Sequence, residues 1–234
     1  STICCDIDGR GVWVLSRDGS RMIRTYQEDP DNPLSIRGNG VYDIYYESSG
    51  RVWICSIIGG VSVADLGSPM VTQLQHRINN PNSLVNNHIH DLIEDSRGQL
   101  WAGTNRGLSC WNPHTDEWVN YFEKRGSEAF IILALCEDDD GNIWVGTYAH
   151  GVYVIDGKRP AIIAHHTRPT GILSKTGFVF DILKDGNGDM WLAGMNGEIL
   201  MYERRTREFK TYPAEPVYAI DEWGDRTLIL ACSY

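Results

Sequence analysis

The sequence predicts an all-β fold of repeated four-stranded antiparallel blades, and three observations carry that prediction. A tryptophan strand recurs at Trp13, Trp53, Trp101, Trp144 and Trp191, with spacings of 40, 48, 43 and 47 residues, and Leu230 stands 39 further on in the same role. Each copy runs from an apolar strand through a turn ending in glycine to the tryptophan strand. Ser48-Ser49-Gly50, Ser96-Arg97-Gly98 and Asp139-Asp140-Gly141 are such turns, and glycine accepts the positive φ that a tight hairpin needs. A second break at Gly59-Gly60, Arg106-Gly107 or His150-Gly151 leads to a third strand, then to an aromatic fourth such as Trp118-Val119-Asn120-Tyr121-Phe122. Four short strands in a period of about 40 to 45 residues mark a β-propeller rather than a helical solenoid. Five full blades plus a partial sixth, with almost no helix, account for the chain.

Taken in order, the repeats span approximately 2–38, 39–86, 87–130, 131–176, 177–215 and 216–234. The first copy is loose, with strands expected near Thr2 to Ile7, Val12 to Ser16 and Met22 to Tyr26. The polar connector 29–35 and its near-duplicate 78–84 are rich in Pro, Asn and Ser, which marks ordered turns between blades. Repeat four leaves through 159–169. Repeat six stops after two strands, so the chain is expected to be cut from a longer propeller. Its open edge then predicts self-association or recruitment of the remaining blades.

Composition excludes several classes. A length of 234 residues fits one large all-β domain, and 42% apolar residues with 24 Gly and 8 Trp suit a turn-rich sheet protein. A formal net charge of −10 argues against nucleic acid or an anionic membrane as partner. The longest apolar run, 129–136, is short of a membrane helix, and no signal peptide opens the sequence. Six cysteines are expected as buried reduced thiols: Cys55 takes the place of Gly103 and Gly146, while Cys136 and Cys4 sit on first strands. No metal-ligand spacing, nucleophile motif, phosphate loop or dinucleotide fingerprint occurs, so no metal, cofactor or catalytic residue is assigned.

Two acidic patterns resemble chemistry but read as scaffold. Asp138 to Asn142 and Asp185 to Asp189 mimic the start of a calcium loop, yet no bidentate Glu follows at the twelfth position, so a hairpin turn is expected. Asp43, Asp91 and Asp181 each precede their tryptophan by ten residues. Paired carboxylates can serve acid–base chemistry, but a residue repeated blade after blade is expected to bond a neighbouring blade's backbone. What departs from the repeat points to binding. The turn between second and third strands reads Ile57-Ile58, Asn105-Arg106, Tyr148-Ala149-His150 and Met195-Asn196. The start of the first strand adds His88 and His90. Both are expected on one face, with Tyr148 to stack on a ring and Asn105, Arg106, His150, His88 and His90 to bond hydroxyls. His165-His166 are expected to face solvent on a polar loop.

The segment from Asn79 to Pro113, with its copies at Ile131 and Phe178, resembles the two-component regulator propeller repeat. The resemblance covers repeats two to five strongly and both ends weakly. It implies a blade set from a seven-bladed propeller in the periplasmic sensor region of a bacterial hybrid two-component histidine kinase. The membrane helix, kinase and receiver domains of such proteins lie outside these residues. It further implies a non-catalytic module that detects an oligosaccharide and signals as a dimer. A propeller enzyme acting on glycans, lyase or glycosidase, and a protein-interaction propeller remain as alternatives.

Overall fold

The computed structural model describes residues 2–7, 9–32, 34–47, 50–65, 71–122, 131–167, 177–194, 197–223 and 227–232. All of its regular elements are strands, in six antiparallel sheets. Sheet 1 holds β1 (Thr2–Ile7), β2 (Gly11–Ser16) and β3 (Met22–Tyr26). Sheet 2 holds β4 (Val41–Tyr46), β5 (Arg51–Ser56), β6 (Gly60–Asp65) and β7 (Val71–Leu74). Sheet 3 holds β8 (Ile89–Glu94), β9 (Leu100–Thr104), β10 (Gly107–Asn112) and β11 (Glu117–Tyr121). Sheet 4 holds β12 (Ile132–Glu137), β13 (Ile143–Thr147), β14 (Val152–Asp156) and β15 (Ala161–His166). Sheet 5 holds β16 (Asp181–Lys184), β17 (Met190–Ala193), β18 (Glu198–Glu203) and β19 (Glu208–Pro213), and β20 (Val217–Glu222) pairs with β21 (Leu228–Cys232) in sheet 6. Within every sheet the strands follow sequence order, the up-and-down connection that tight turns enforce. This is the propeller-blade architecture expected from the repeat, but among the described residues four sheets rather than five have all four strands, sheet 1 having three and sheet 6 two.

The second strands carry almost unbroken apolar runs because both of their faces are covered. In β5, Val52 and Ile54 pack with Val12, Val14 and Ile36 on the sheet 1 side. Trp53 and Cys55 of the same strand pack with Ile89, Leu92 and Leu100 on the sheet 3 side. Side chains alternate across a strand, so a strand between two neighbours needs apolar residues at every position. β17 repeats the arrangement: Met190 and Leu192 join Trp144 and Val154, while Trp191 and Ala193 join Val217 and Ile220. Each fully buried Val or Ile adds about 1.5–3 kcal/mol, and a charge at Ile54 would break the packing toward sheet 1.

The chain divides into two compact units, Ser1–Ile93 with Leu100–Tyr121, and Glu94–Gln99 with Phe122–Tyr234. The first is built on the two cores around β5. The second is built on the two around β17.

The first sheet corrects the expected register. Trp13 is not the counterpart of the other repeat tryptophans. Trp53 pairs with Val63, Trp101 with Cys110, Trp144 with Val154 and Trp191 with Met201, and the residue in that place opposite Val14 is Cys4. β1 is therefore a second strand, β2 a third and β3 a fourth. The backbone agrees: Gly11 N donates to Asn39 O at 3.0 Å as Gly60 N does to Asn87 O at 3.0 Å, and both glycines open a third strand with positive φ. The connectors that follow are copies too. Asp29 N donates to Ser35 Oγ and Arg77 N to Ser83 Oγ, each at 3.0 Å, which confirms them as ordered turns. Cys4 accordingly sits on a second strand, not a first. All six cysteines are free; Cys55 and Cys110 are buried, while Cys232 is exposed, against the expectation for that thiol.

Candidate functional site

The acidic hairpin turns are occupied by their own backbone. Asp138 Oδ1 accepts the amides of Asp140 at 2.9 Å and Asn142 at 2.8 Å, and its Oδ2 accepts the Trp144 indole at 3.0 Å. Asp185 does the same for Asn187, Asp189 and Trp191. In sheet 2 Glu47 Oε2 takes the Trp53 indole at 3.1 Å. A carboxylate spent on two amides and an indole is a turn-former of the Asx type. The first-strand aspartates are structural in the same way. Asp43, Asp91 and Asp181 each accept the next amide on their own strand. Asp181 also reaches sheet 6, where its Oδ2 accepts Ile220 N at 2.8 Å. Burial pushes the Asp181 carboxyl up, and these two amides pull it back.

The two turns expected to share a face do adjoin. Ile57 N donates to Gly40 O, Asn105 N to His88 O and Tyr148 N to Ile131 O, so each second-to-third turn is tied to the residue before its first strand. The Met195-Asn196 turn and Ser48-Ser49 of the second hairpin lie outside the described residues.

In the first unit this places His88, His90 and Asn105 together, with Tyr42 beside them. His90 Nε2 lies 2.6 Å from Asn105 Oδ1, an acceptor to which that ring nitrogen donates. The two imidazole centroids are 4.8 Å apart, and Tyr42 lies 5.6 Å from His88 and 5.3 Å from His90. Among the described residues His88 Nε2 is buried without a hydrogen-bond partner, and desolvation, with His90 second, lowers its pKa. Arg106 is exposed beside them on the turn, its amide donating to Thr104 Oγ1.

In the second unit Tyr148 is one end of a ladder of rings. Tyr148 meets Phe178 edge-on at 4.4 Å, Phe178 stacks on Phe180 at 6.2 Å, and Phe180 meets Tyr218 at 5.2 Å. Both terminal tyrosines are 47% exposed. The ladder runs from the β13–β14 turn of sheet 4 across the starts of the first strands of sheets 5 and 6. His150 is exposed next to it, and its carbonyl accepts His165 Nε2 at 2.9 Å. Sequence reasoning missed Tyr42, Phe178, Phe180 and Tyr218. The signal was their register: Tyr42, Phe180 and Tyr218 occupy the first-strand position that His90 occupies. The His165-His166 expectation is also overturned. Both belong to β15, His165 stacked on Tyr153 at 3.7 Å and His166 half-buried against Trp144 and Phe209.

Residues 83–106 and 126–149 match the family described as Two component regulator propeller. These two stretches are similar to the two component regulator propeller repeat. The matched stretches include a first and a second strand and reach the tip turn, so Asn105, Arg106 and Tyr148 fall at their ends. No curated protein matches the chain. Among solved structures, the chain is similar to one described as the extracellular domain of a hybrid two component system of B. thetaiotaomicron, with TM-score 0.76 and 20% identity over 98% of this chain and 32% of that one. It is similar to the extracellular domain of a one component system of the same organism, with TM-score 0.75 and 17% identity over 99% and 30%. It is also similar to PorZ, a surface component of the type-IX secretion system of Porphyromonas gingivalis, with TM-score 0.70 and 16% identity over 99% and 36%. The chain thus spans about a third of the length of these proteins. At such identities the likeness establishes the fold.

Proposed function

We propose that the regulator repeats form a non-catalytic recognition module on the extracytoplasmic side of a signalling protein. In this reading the aromatic ladder of the second unit receives an oligosaccharide, and the signal passes to a kinase elsewhere in the parent. The observation that carries the reading is the row Tyr148, Phe178, Phe180 and Tyr218, with ring spacings of 4.4 to 6.2 Å and exposed tyrosines at both ends. Rings in a row present apolar faces to the C–H faces of successive sugar units, while hydroxyls remain free to bond His150 and the neighbouring backbone. The family description and the extracellular domains among the similar structures support the signalling role and the periplasmic location. The commitment of Asp181 to two amides supports a module without turnover, because an acid–base pair needs carboxylates that face substrate.

Calorimetric titration with a panel of oligosaccharides, with product analysis of the same mixtures, tests this. Saturable binding without cleavage is expected. Tyr148→Ala should weaken it about threefold to tenfold, the worth of one aromatic contact. Cleavage of any member of the panel, or absence of binding across it, overturns the reading.

A further inference from the structure

The second unit also has an open cavity of about 510 Å³ between sheets 4 and 5, at the end of β13 away from Tyr148. Its size is that of a small-molecule site. The floor is apolar and buried: Trp144, Val154 and Met190. One side is closed by a clasp between the sheets. Asp139 of the β12–β13 turn takes Lys184 Nζ of β16 at 3.0 Å and Arg204 Nη1, just beyond β18, at 2.6 Å; Arg204 Nη2 reaches Asp140 at 3.3 Å. Gly188 makes room for that clasp, since a Cβ there would strike the Asp139 carboxylate.

The remaining polar groups are uncharged or balanced. The His166 ring is stacked on Trp144 at 5.7 Å and capped edge-on by Phe209 at 5.0 Å, and among the described residues no protein group hydrogen-bonds its nitrogens. Burial, with His165 second, lowers its pKa, so at neutral pH it offers one N–H donor and one lone pair. Burial raises the Tyr202 hydroxyl, which stays protonated, its ring centroid 6.1 Å from that of His166. Asp139 is paired with Lys184 and Arg204 and Asp140 with Arg204, while both oxygens of Asp138 are held by its own turn and the Trp144 indole, so these carboxylates already have partners. An ion entering such a site gives up hydration that no unmatched partner restores.

We propose that this cavity binds an uncharged small molecule bearing several hydroxyl groups, with His166 as its principal hydrogen-bonding residue. A hydroxyl is donor and acceptor at once, which matches a neutral imidazole beside a phenol and the Asn142 amide. The site goes beyond the ladder reading and does not depend on it. Protonating His166 removes the lone pair, so binding falls as pH drops below the ordinary histidine range. The groups facing that ring are His165 on its own strand, Asp138 to Asp140 across the cavity, and Tyr202, Arg204 and Arg207 from sheet 5.

The experiment titrates the whole chain with myo-inositol and glucose as uncharged probes and with glucuronate and glucosamine as charged ones, following tryptophan fluorescence and heat. Saturable binding of an uncharged probe is expected, weaker at about pH 5 than at about pH 7.5. His166→Phe keeps the ring packing and should lower affinity about tenfold at unchanged melting temperature, the loss of one or two neutral hydrogen bonds. His166→Gln should keep binding but lose its pH dependence. The inference is overturned if neither uncharged probe saturates, if a charged probe binds better, or if His166→Phe binds as well as the wild type. A loss in Tyr148→Ala equal to that in His166→Phe would place the probes on the ladder and overturn it as well.

Discussion

Trp144 and Tyr148 share one β-hairpin and meet opposite environments. The Trp144 indole is 3% exposed, lies 5.0 Å from Tyr202 of the next sheet and donates to Asp138, whereas Tyr148 is 47% exposed. Trp144→Ala should therefore cost about 3–5 kcal/mol and Tyr148→Ala a few tenths to about 1 kcal/mol, read as denaturant midpoints at constant m-value. Equal shifts would mean that the packing assignment is reversed. The histidines add a pH dependence of known sign. His166 and His88 have pKa values lowered by burial, so between the lowered and the ordinary value the unfolded chain binds more protons. Their contribution is complete above the ordinary value and is lost as pH falls through that window. Melting temperature should drop from neutral to mildly acidic pH, and less in His166→Phe; an equal drop would exclude His166 as a source. Tyr148 was legible in the sequence because it breaks the repeat at a turn. His166 and Phe180 were not, because an aromatic residue near an apolar strand reads the same whether it lines a cavity, joins a surface row or fills a core.

At the scale of the hairpin, one aspartate organises the turn and orients the tryptophan behind it. Asp138→Ala strands the amides of Asp140 and Asn142 and the Trp144 indole, and should cost about 2 kcal/mol or more, most of it from the indole left inside the core. Asp138→Asn keeps the accepting oxygen and should recover part of that; a loss below about 0.5 kcal/mol for Asp138→Ala would show that the turn forms without it. The same hairpins made the fold legible, since strand, turn glycine and tryptophan strand recur as a local pattern. Legibility ended in sheet 1. There Trp13 imitates the repeat tryptophan while the pairing puts Cys4 in its place, and only hydrogen-bond register distinguishes the two. The connector after β3 held the clue: its 29–35 turn copies 77–83, which follows a fourth strand.

For the molecule as a whole, all regular structure among the described residues is strand, and the formal net charge is −10. A far-ultraviolet circular dichroism spectrum should show no helical minimum, and the chain should not retard DNA in a gel at physiological salt; a helical spectrum or a stable DNA complex would contradict both. The carboxylate-bound indoles have one more consequence. Trp53 in sheet 2, Trp111 in sheet 3, Trp144 in sheet 4 and Trp191 in sheet 5 each hold their N–H on an acid of the same sheet, Glu47, Asp116, Asp138 and Asp185. An indole proton held in this way leaves for deuterium only when its own hairpin opens. Four sheets therefore carry four native clocks, and their separate exchange rates would time the breathing of each blade without a label.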